Sequence, residues 1–150
     1  MIEKGKAIGK VLGIYIKDEK GQFSRIEEGY LKKEEGLLGD MASHKEGRQV
    51  SLFTAEGWDE ILLLDKVGLC TKKFHENIRI RDLDLKEIKV GSLIKIGDAV
   101  IEITEIGKGC FPECSLVREG ISCPLTREAI FGKVIKSGGI KIGDSLFKVK

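Results

Sequence analysis

One pentapeptide occurs twice in the chain, as Ile94-Lys95-Ile96-Gly97-Asp98 and as Ile140-Lys141-Ile142-Gly143-Asp144. In each copy alternating apolar residues run into Gly-Asp, a pair suited to a tight reversal of the backbone. β-prone sequence then resumes, Ala99 to Ile106 after the first copy and Ser145 to Val149 after the second. The pattern predicts a β-hairpin at each copy. A solenoid needs more stacked units than two, so the copies read as corners of one closed or nearly closed sheet. Gly39-Asp40 offers a third turn of similar kind. Ala7 to Ile16 and Gln49 to Phe53 carry Val, Ile, Leu, Tyr and Phe in short runs and read as strands.

Helix is the minority expectation. Thr54 is suited to cap a helix running to Val67, with Trp58, Ile61 and Leu62 on its packing face and Gly68 as its stop. Pro124 is suited to the first position of a second, shorter helix through Thr126-Arg127-Glu128 to Phe131. The two prolines and nineteen glycines form no linker-like stretch, and 150 residues suffice for a real core without disulfides or metal. The expectation is a single domain over 1–150, mainly β, a closed or nearly closed β-barrel with one or two short covering helices.

Lys plus Arg number 26 and Asp plus Glu 24, interleaved as in Lys17-Asp18-Glu19-Lys20 and Lys32-Lys33-Glu34-Glu35, which is the pattern of a solvated surface. A nucleic-acid binder concentrates its cations in a stripe and often interleaves aromatics for stacking; here the aromatics are scattered, and no nucleic-acid partner is expected. No apolar run approaches the roughly 18 residues of a membrane span. Met1 to Lys10 lacks the apolar stretch of a secretory signal, and a cytoplasmic location without membrane contact is the expectation.

The cysteines are unevenly placed. Cys70 stands alone after an apolar stretch and reads as a small buried hydrophobe, whereas Cys110, Cys114 and Cys123 cluster. In a reducing compartment a disulfide framework is not expected. Cys110-Phe111-Pro112-Glu113-Cys114 follows a predicted strand, and Pro112 resists regular structure, so the pair reads as a loop at a barrel rim. Lys108, Arg118 and Arg127 lie near in sequence, and cationic neighbours raise the thiolate fraction at neutral pH.

Four readings of the cluster are open at this point. The thiols are packing residues; or they hold zinc, with His44 or His75 as a remote fourth ligand. They handle sulfur, one thiolate taking a sulfane sulfur as a persulfide and a neighbour releasing it by exchange. Or one thiolate ligates a soft-tolerant metal such as molybdenum.

In order and spacing, a series of stretches resembles the MOSC domain, the module named for the C-terminal part of molybdenum cofactor sulfurase. They are Gly39-Asp40, Gly47-Arg48-Gln49-Val50-Ser51-Leu52, Phe74-His75-Glu76-Asn77-Ile78, Leu83-Asp84-Leu85 leading to Val90-Gly91, and Ile96-Gly97-Asp98 through Thr104. The series continues with Ile106-Gly107-Lys108-Gly109-Cys110 to Cys114, and with Cys123-Pro124 through Phe131. Together they cover nearly the whole chain.

The resemblance implies a mostly β barrel, free-standing in bacteria or fused to other domains, linked to sulfur delivery or to binding of a molybdenum-pterin cofactor. The family's hallmark cysteine matches Cys114. In relatives resembling the mitochondrial amidoxime-reducing component that cysteine binds molybdenum and follows a basic residue; here Glu113 precedes it, and Phe111 stands where small bacterial members often have His. The implied working residues are Cys114, with Cys110 and Cys123 beside it, and Cys114 is the implied metal ligand. Arg48, Gln49 and Lys108 would bind an anionic cofactor, Arg48 being suited to a bidentate clamp on phosphate or pterin; Glu76 and Asn77 would be polar pocket groups. Pyridoxal phosphate, linked to this family, would belong to a partner cysteine desulfurase; a molybdenum cofactor biosynthesis protein or a molybdoenzyme is the other implied partner. A reductase of N-hydroxylated substrates would further need electron-transfer partners. The alternative from another class is a non-catalytic zinc-binding or protein-interaction barrel.

Overall fold

The computed structural model describes residues 6–40, 48–62, 76–107 and 129–149. Within them strands form where apolar residues alternate with polar ones. In β1 (Gly9–Lys17), Val11 and Ile14 point inward while Lys10 is exposed. The side-chain period of two would turn the next apolar residues outward, and a shift in register between Val11 and Gly13 corrects this, leaving Leu12 unopposed and facing solvent.

The remaining elements in chain order are β2 (Phe23–Ile26), β3 (Glu28–Lys32), β4 (Gly36–Leu37), β5 (Val50–Thr54), α1 (Ala55–Leu62), β6 (Ile78–Arg81), a 3-10 turn (Leu85–Glu87), β7 (Leu93–Ile96), β8 (Ala99–Ile106), β9 (Ile130–Lys136), β10 (Gly138–Lys141) and β11 (Ser145–Val149). Strands β11, β7, β8, β9, β5, β6 and β1 neighbour one another in that order, and β1 pairs back on β11 to close a seven-stranded barrel. At the seam Leu146 stands opposite both Gly9 of β1 and Ile96 of β7. β2 extends the sheet beyond β1, and β10, β3 and β4 form a second, three-stranded sheet. Ile14, Leu52, Ile78, Ile96, Ile101 and Leu31 fill the interior, all nearly inaccessible to water. Each such side chain stabilises the fold by about 1.5–3 kcal/mol relative to exposure. The expected mainly β closed barrel is the observed one.

β5 and β6 are the parallel pair in this otherwise antiparallel barrel, Leu52 facing Ile78. Parallel neighbours need a crossover, and α1 begins it. Thr54 caps α1 as expected, its Oγ1 accepting the Gly57 N–H at 2.9 Å. Trp58 meets Phe53 edge-on, ring centroids 5.4 Å apart. Gly57 lets the helix lie this close, since a Cβ there would come within 2.5 Å of the Phe53 ring. The packing face is therefore Gly57, Trp58 and Ile61. Leu62, expected on it, is 79% exposed, because a further 100° of helical rotation carries it away from the sheet. The expected continuation to Val67 and stop at Gly68 lie outside the described residues.

The first copy of the repeat is the predicted hairpin, Ile96 of β7 opposite Ala99 of β8. The second copy is not. Its β10 pairs with β3, Ile140 opposite Gly29, while its β11 pairs with β1 and β7. The Gly143-Asp144 turn thus passes the chain between two sheets instead of folding it on itself. The two turns meet at one end of the barrel: the Asp98 N–H donates to the Gly139 carbonyl at 3.0 Å. A second correction concerns the helix expected from Pro124 to Phe131. Residues 124–128 lie outside the described residues, but Ile130 and Phe131 begin β9, where β-branched and aromatic side chains and the pairing of Ile130 with Ile106 extend the backbone.

Candidate functional site

The three clustered cysteines belong to the connection between β8 and β9. Ile106 stands opposite Ile130, and the Gly107 N–H donates to the Ala129 carbonyl at 2.6 Å, so the connection leaves and rejoins the barrel through adjacent backbone groups. Lys108, Cys110, Cys114 and Cys123 lie outside the described residues, as do His44, Cys70 and His75.

Arg48 stands beside this exit. One residue pair back from Ile106 and Ile130, Glu105 of β8 faces Phe131 of β9, and Phe131 in turn faces Ser51 of β5. Arg48 precedes β5 and reaches across this row. Its Nε donates to Oε2 of Glu105 at 2.6 Å, a terminal nitrogen forms an ion pair with the same oxygen at 2.5 Å, and its guanidinium lies 4.5 Å from the centre of the Phe131 ring. The Arg48 and Glu105 side chains are 34% and 41% exposed, so the pair meets water. Gln49 sets the arginine's position: its N–H donates to Gly132 and its Oε1 accepts the Val134 N–H at 2.9 Å, binding the start of β5 to β9.

Glu76 and Asn77 open β6 and turn toward protein. Glu76 is fully buried, accepting from Trp58 Nε1 at 2.5 Å and from Arg79 at 3.3 and 3.4 Å. Arg79 lies between two rings, 5.0 Å from Tyr15 and 5.5 Å from Trp58. Asn77 accepts from the Ser51 backbone at 3.0 Å and donates to Asp40 at 3.0 Å and to the Tyr15 carbonyl at 3.4 Å. Asp40 also accepts from the Lys17 backbone at 2.8 Å. These bonds join β1, β5, β6 and the turn after β4 in one buried polar junction, which buried polar groups require for their own satisfaction.

Of the sequence-derived cofactor-binding residues among the described ones, the structure therefore brings Arg48 and Gln49 to the root of the cysteine connection and commits Glu76 and Asn77 to the junction. Glu105 went unsignalled in the sequence, because the two-residue period puts it in the inward phase of Ile101 and Ile103, and it is the register shift between Ile103 and Glu105 that turns it outward. Chemically, the root offers a guanidinium over a ring. Its N–H donors other than those facing Glu105 have no partner among the described residues, which suits an anionic oxygen cluster. Among the described residues no group of three His, Cys, Asp or Glu side chains is arranged to hold a metal ion, and no helix is long and apolar enough to cross a membrane.

No protein-family model matches the chain, and no curated relative matches it by sequence. Solved structures do match in shape. YuaD from Bacillus subtilis superposes with a TM-score of 0.70 at 18% identity, covering 100% of this chain and 99% of that one. YiiM from Escherichia coli gives 0.61 at 15% identity over 94% of this chain and 70% of that one. YiiM from Geobacillus stearothermophilus gives 0.55 at 14% over 97% and 75%. At such identities the likeness carries the fold alone, and with YiiM a MOSC-domain protein, this closed barrel is consistent with a MOSC-like fold.

Proposed function

We propose that this chain is a MOSC-type domain of molybdenum cofactor and sulfur metabolism, with the Cys114 thiolate as its working group and Arg48 as the anchor for an anionic molecule. The observation that carries the reading is the Arg48 guanidinium, laid on Phe131 one residue pair from the exit to the cysteine connection. In the sulfur-carrying form, the Cys114 thiolate attacks the terminal sulfur of a donor persulfide. A new S–S bond forms on Cys114 as the donor's breaks, and the donor leaves as a thiolate. Attack of a Cys110 or Cys123 thiolate on the Cys114 sulfur then yields a disulfide and releases hydrosulfide. Lys108, close in sequence, favours the thiolate state. The donor is a pyridoxal phosphate-dependent cysteine desulfurase acting as a separate partner.

The same arginine favours a second reading, a molybdenum-pterin cofactor. Its uncommitted N–H donors fit the phosphate of such a group, and Cys114 would hold the metal, which supplies redox chemistry when bound. Glu76 and Asn77 are not assigned to it, their side chains being engaged within the barrel.

Both readings are tested on one preparation. Protein expressed with molybdate and zinc is analysed for metal, and its intact mass is measured after incubation with a cysteine desulfurase and cysteine. A gain of one sulfur, or bound molybdenum, that disappears in Cys114→Ser is the expected result. Zinc alone, or adducts and metal unchanged in Cys114→Ser, overturns the proposal in favour of a zinc-binding or interaction module.

A further inference from the structure

We infer that Glu105 is an internal competitor for the anion at Arg48, a built-in counter-ion that restricts the anchor to doubly charged, phosphate-type ligands; this rests on the reading of Arg48 as an anchor. Nε and a terminal nitrogen of Arg48 both approach one oxygen, Oε2, instead of dividing between the two oxygens of the carboxylate. The pair therefore lacks the parallel two-bond fork in which guanidinium and carboxylate bind most strongly. Both side chains meet solvent, and ion pairs so exposed contribute only about 0–1 kcal/mol, so displacing Glu105 is cheap.

An incoming carboxylate would exchange one monoanion for another and gain nothing over a partner already tethered in place. A phosphate dianion carries twice the charge and enough oxygens to engage the remaining N–H donors as well. Phe131 makes the exchange possible without loss of position, because its attraction for the cation, 4.5 Å from the ring centre, holds whichever anion the guanidinium binds. Gln49, fixed to β9 by backbone and side chain, holds the start of β5 in the same way. The carboxylate thus works as a filter on ligand class, placed where the cysteine connection begins.

The test is calorimetric titration of the whole chain with inorganic phosphate and separately with acetate, at fixed pH and ionic strength. Wild type, Glu105→Gln, Glu105→Asp and Arg48→Gln are compared, each checked for folding by its amide NMR spectrum. Glu105→Gln is expected to bind phosphate more tightly by up to about fivefold, the equivalent of removing one exposed ion pair, and to acquire measurable acetate binding. Glu105→Asp, whose shorter side chain reaches Arg48 less well, should move the same way by a smaller factor and serves if Glu105→Gln does not fold. If phosphate binding vanishes in Arg48→Gln but is equal or weaker in the Glu105 variants, the anchor stands and the competitor is overturned. If Arg48→Gln binds phosphate as wild type does, the anchor reading itself fails, and the competitor with it.

Discussion

Asn77 Nδ2 donates to Asp40 Oδ2 at 3.0 Å, and this one bond closes the polar junction between β6 and the turn after β4. Asn77 Oδ1 meanwhile takes the Ser51 backbone N–H, and the other Asp40 oxygen takes that of Lys17. Both side chains are buried, so neither can turn to water if its partner is removed. Asn77→Ala would leave the buried Asp40 carboxylate short of a donor and the half-buried Ser51 N–H short of an acceptor. We expect it to lower the unfolding free energy by about 2–4 kcal/mol, measured by denaturant titration. A loss below about 0.5 kcal/mol would mean that water replaces the amide at no penalty.

The two copies of the pentapeptide give a matched pair of substitutions. Gly97 and Gly143 both have positive φ, 57° and 96°, so alanine at either pays for a left-handed backbone, about 1–2 kcal/mol. The copies differ in their surroundings. A Cβ on Gly97 would lie 2.5 Å from the Gly139 carbonyl and 2.7 Å from the Asp144 carboxylate, whereas one on Gly143 meets nothing within 4 Å. Gly97→Ala should therefore destabilise by at least about 1 kcal/mol more than Gly143→Ala, an overpacking penalty added to the backbone one. Thermal or denaturant unfolding of the two variants side by side checks it.

Trp58 is the chain's one tryptophan, and its N–H is held by the buried Glu76. Its emission therefore reports on the docking of α1. Glu76→Ala removes the acceptor of the indole and the carboxylate facing Arg79, whose side chain keeps 26% exposure and so retains some access to water. The expected loss is about 2–3 kcal/mol, below the full penalty for a broken buried ion pair, with Trp58 emission shifted to the red. Glu76→Gln keeps an acceptor for the indole and should lose about half as much with little spectral change.

Local signals in the sequence marked local structure. Thr54 as a helix cap, the β7–β8 hairpin and the strand after Gln49 all depend on neighbours within a few residues, and each is present. Errors came where a distant strand decides the outcome. The second pentapeptide has the same letters as the first, but the strand beside β10 is β3, more than a hundred positions earlier in the chain, and no turn motif encodes that choice. Ile130 and Phe131 suit a strand by propensity, but Pro124 and Thr126-Arg127-Glu128 before them suit a helix, and the pairing with β8 decides their conformation. The candidate site divides the same way. Arg48 stands out through its Arg-Gln context, but its partner Glu105 is 57 positions away and faces outward only because the register of β8 shifts after Ile103, which alternation along the strand does not signal.

The role of Phe131 separates charge from orientation at Arg48. The guanidinium carbon lies 4.5 Å from the ring centre, and this cation–π contact restricts how the arginine presents its donors. Phe131→Leu keeps a buried apolar side chain in β9 but removes the flat surface. Stability should fall by about 1–1.5 kcal/mol, as for other near-isosteric core changes. Phosphate affinity should fall severalfold, because the charge remains while the ring no longer restricts where the donors point. Arg48→Lys makes the complementary change, retaining the charge and losing both the plane and the fork. If orientation governs binding, titration with phosphate gives weak binding in both variants. If charge alone governs it, Arg48→Lys and Phe131→Leu bind as wild type does, and the ring beneath Arg48 is a packing residue with no part in recognition.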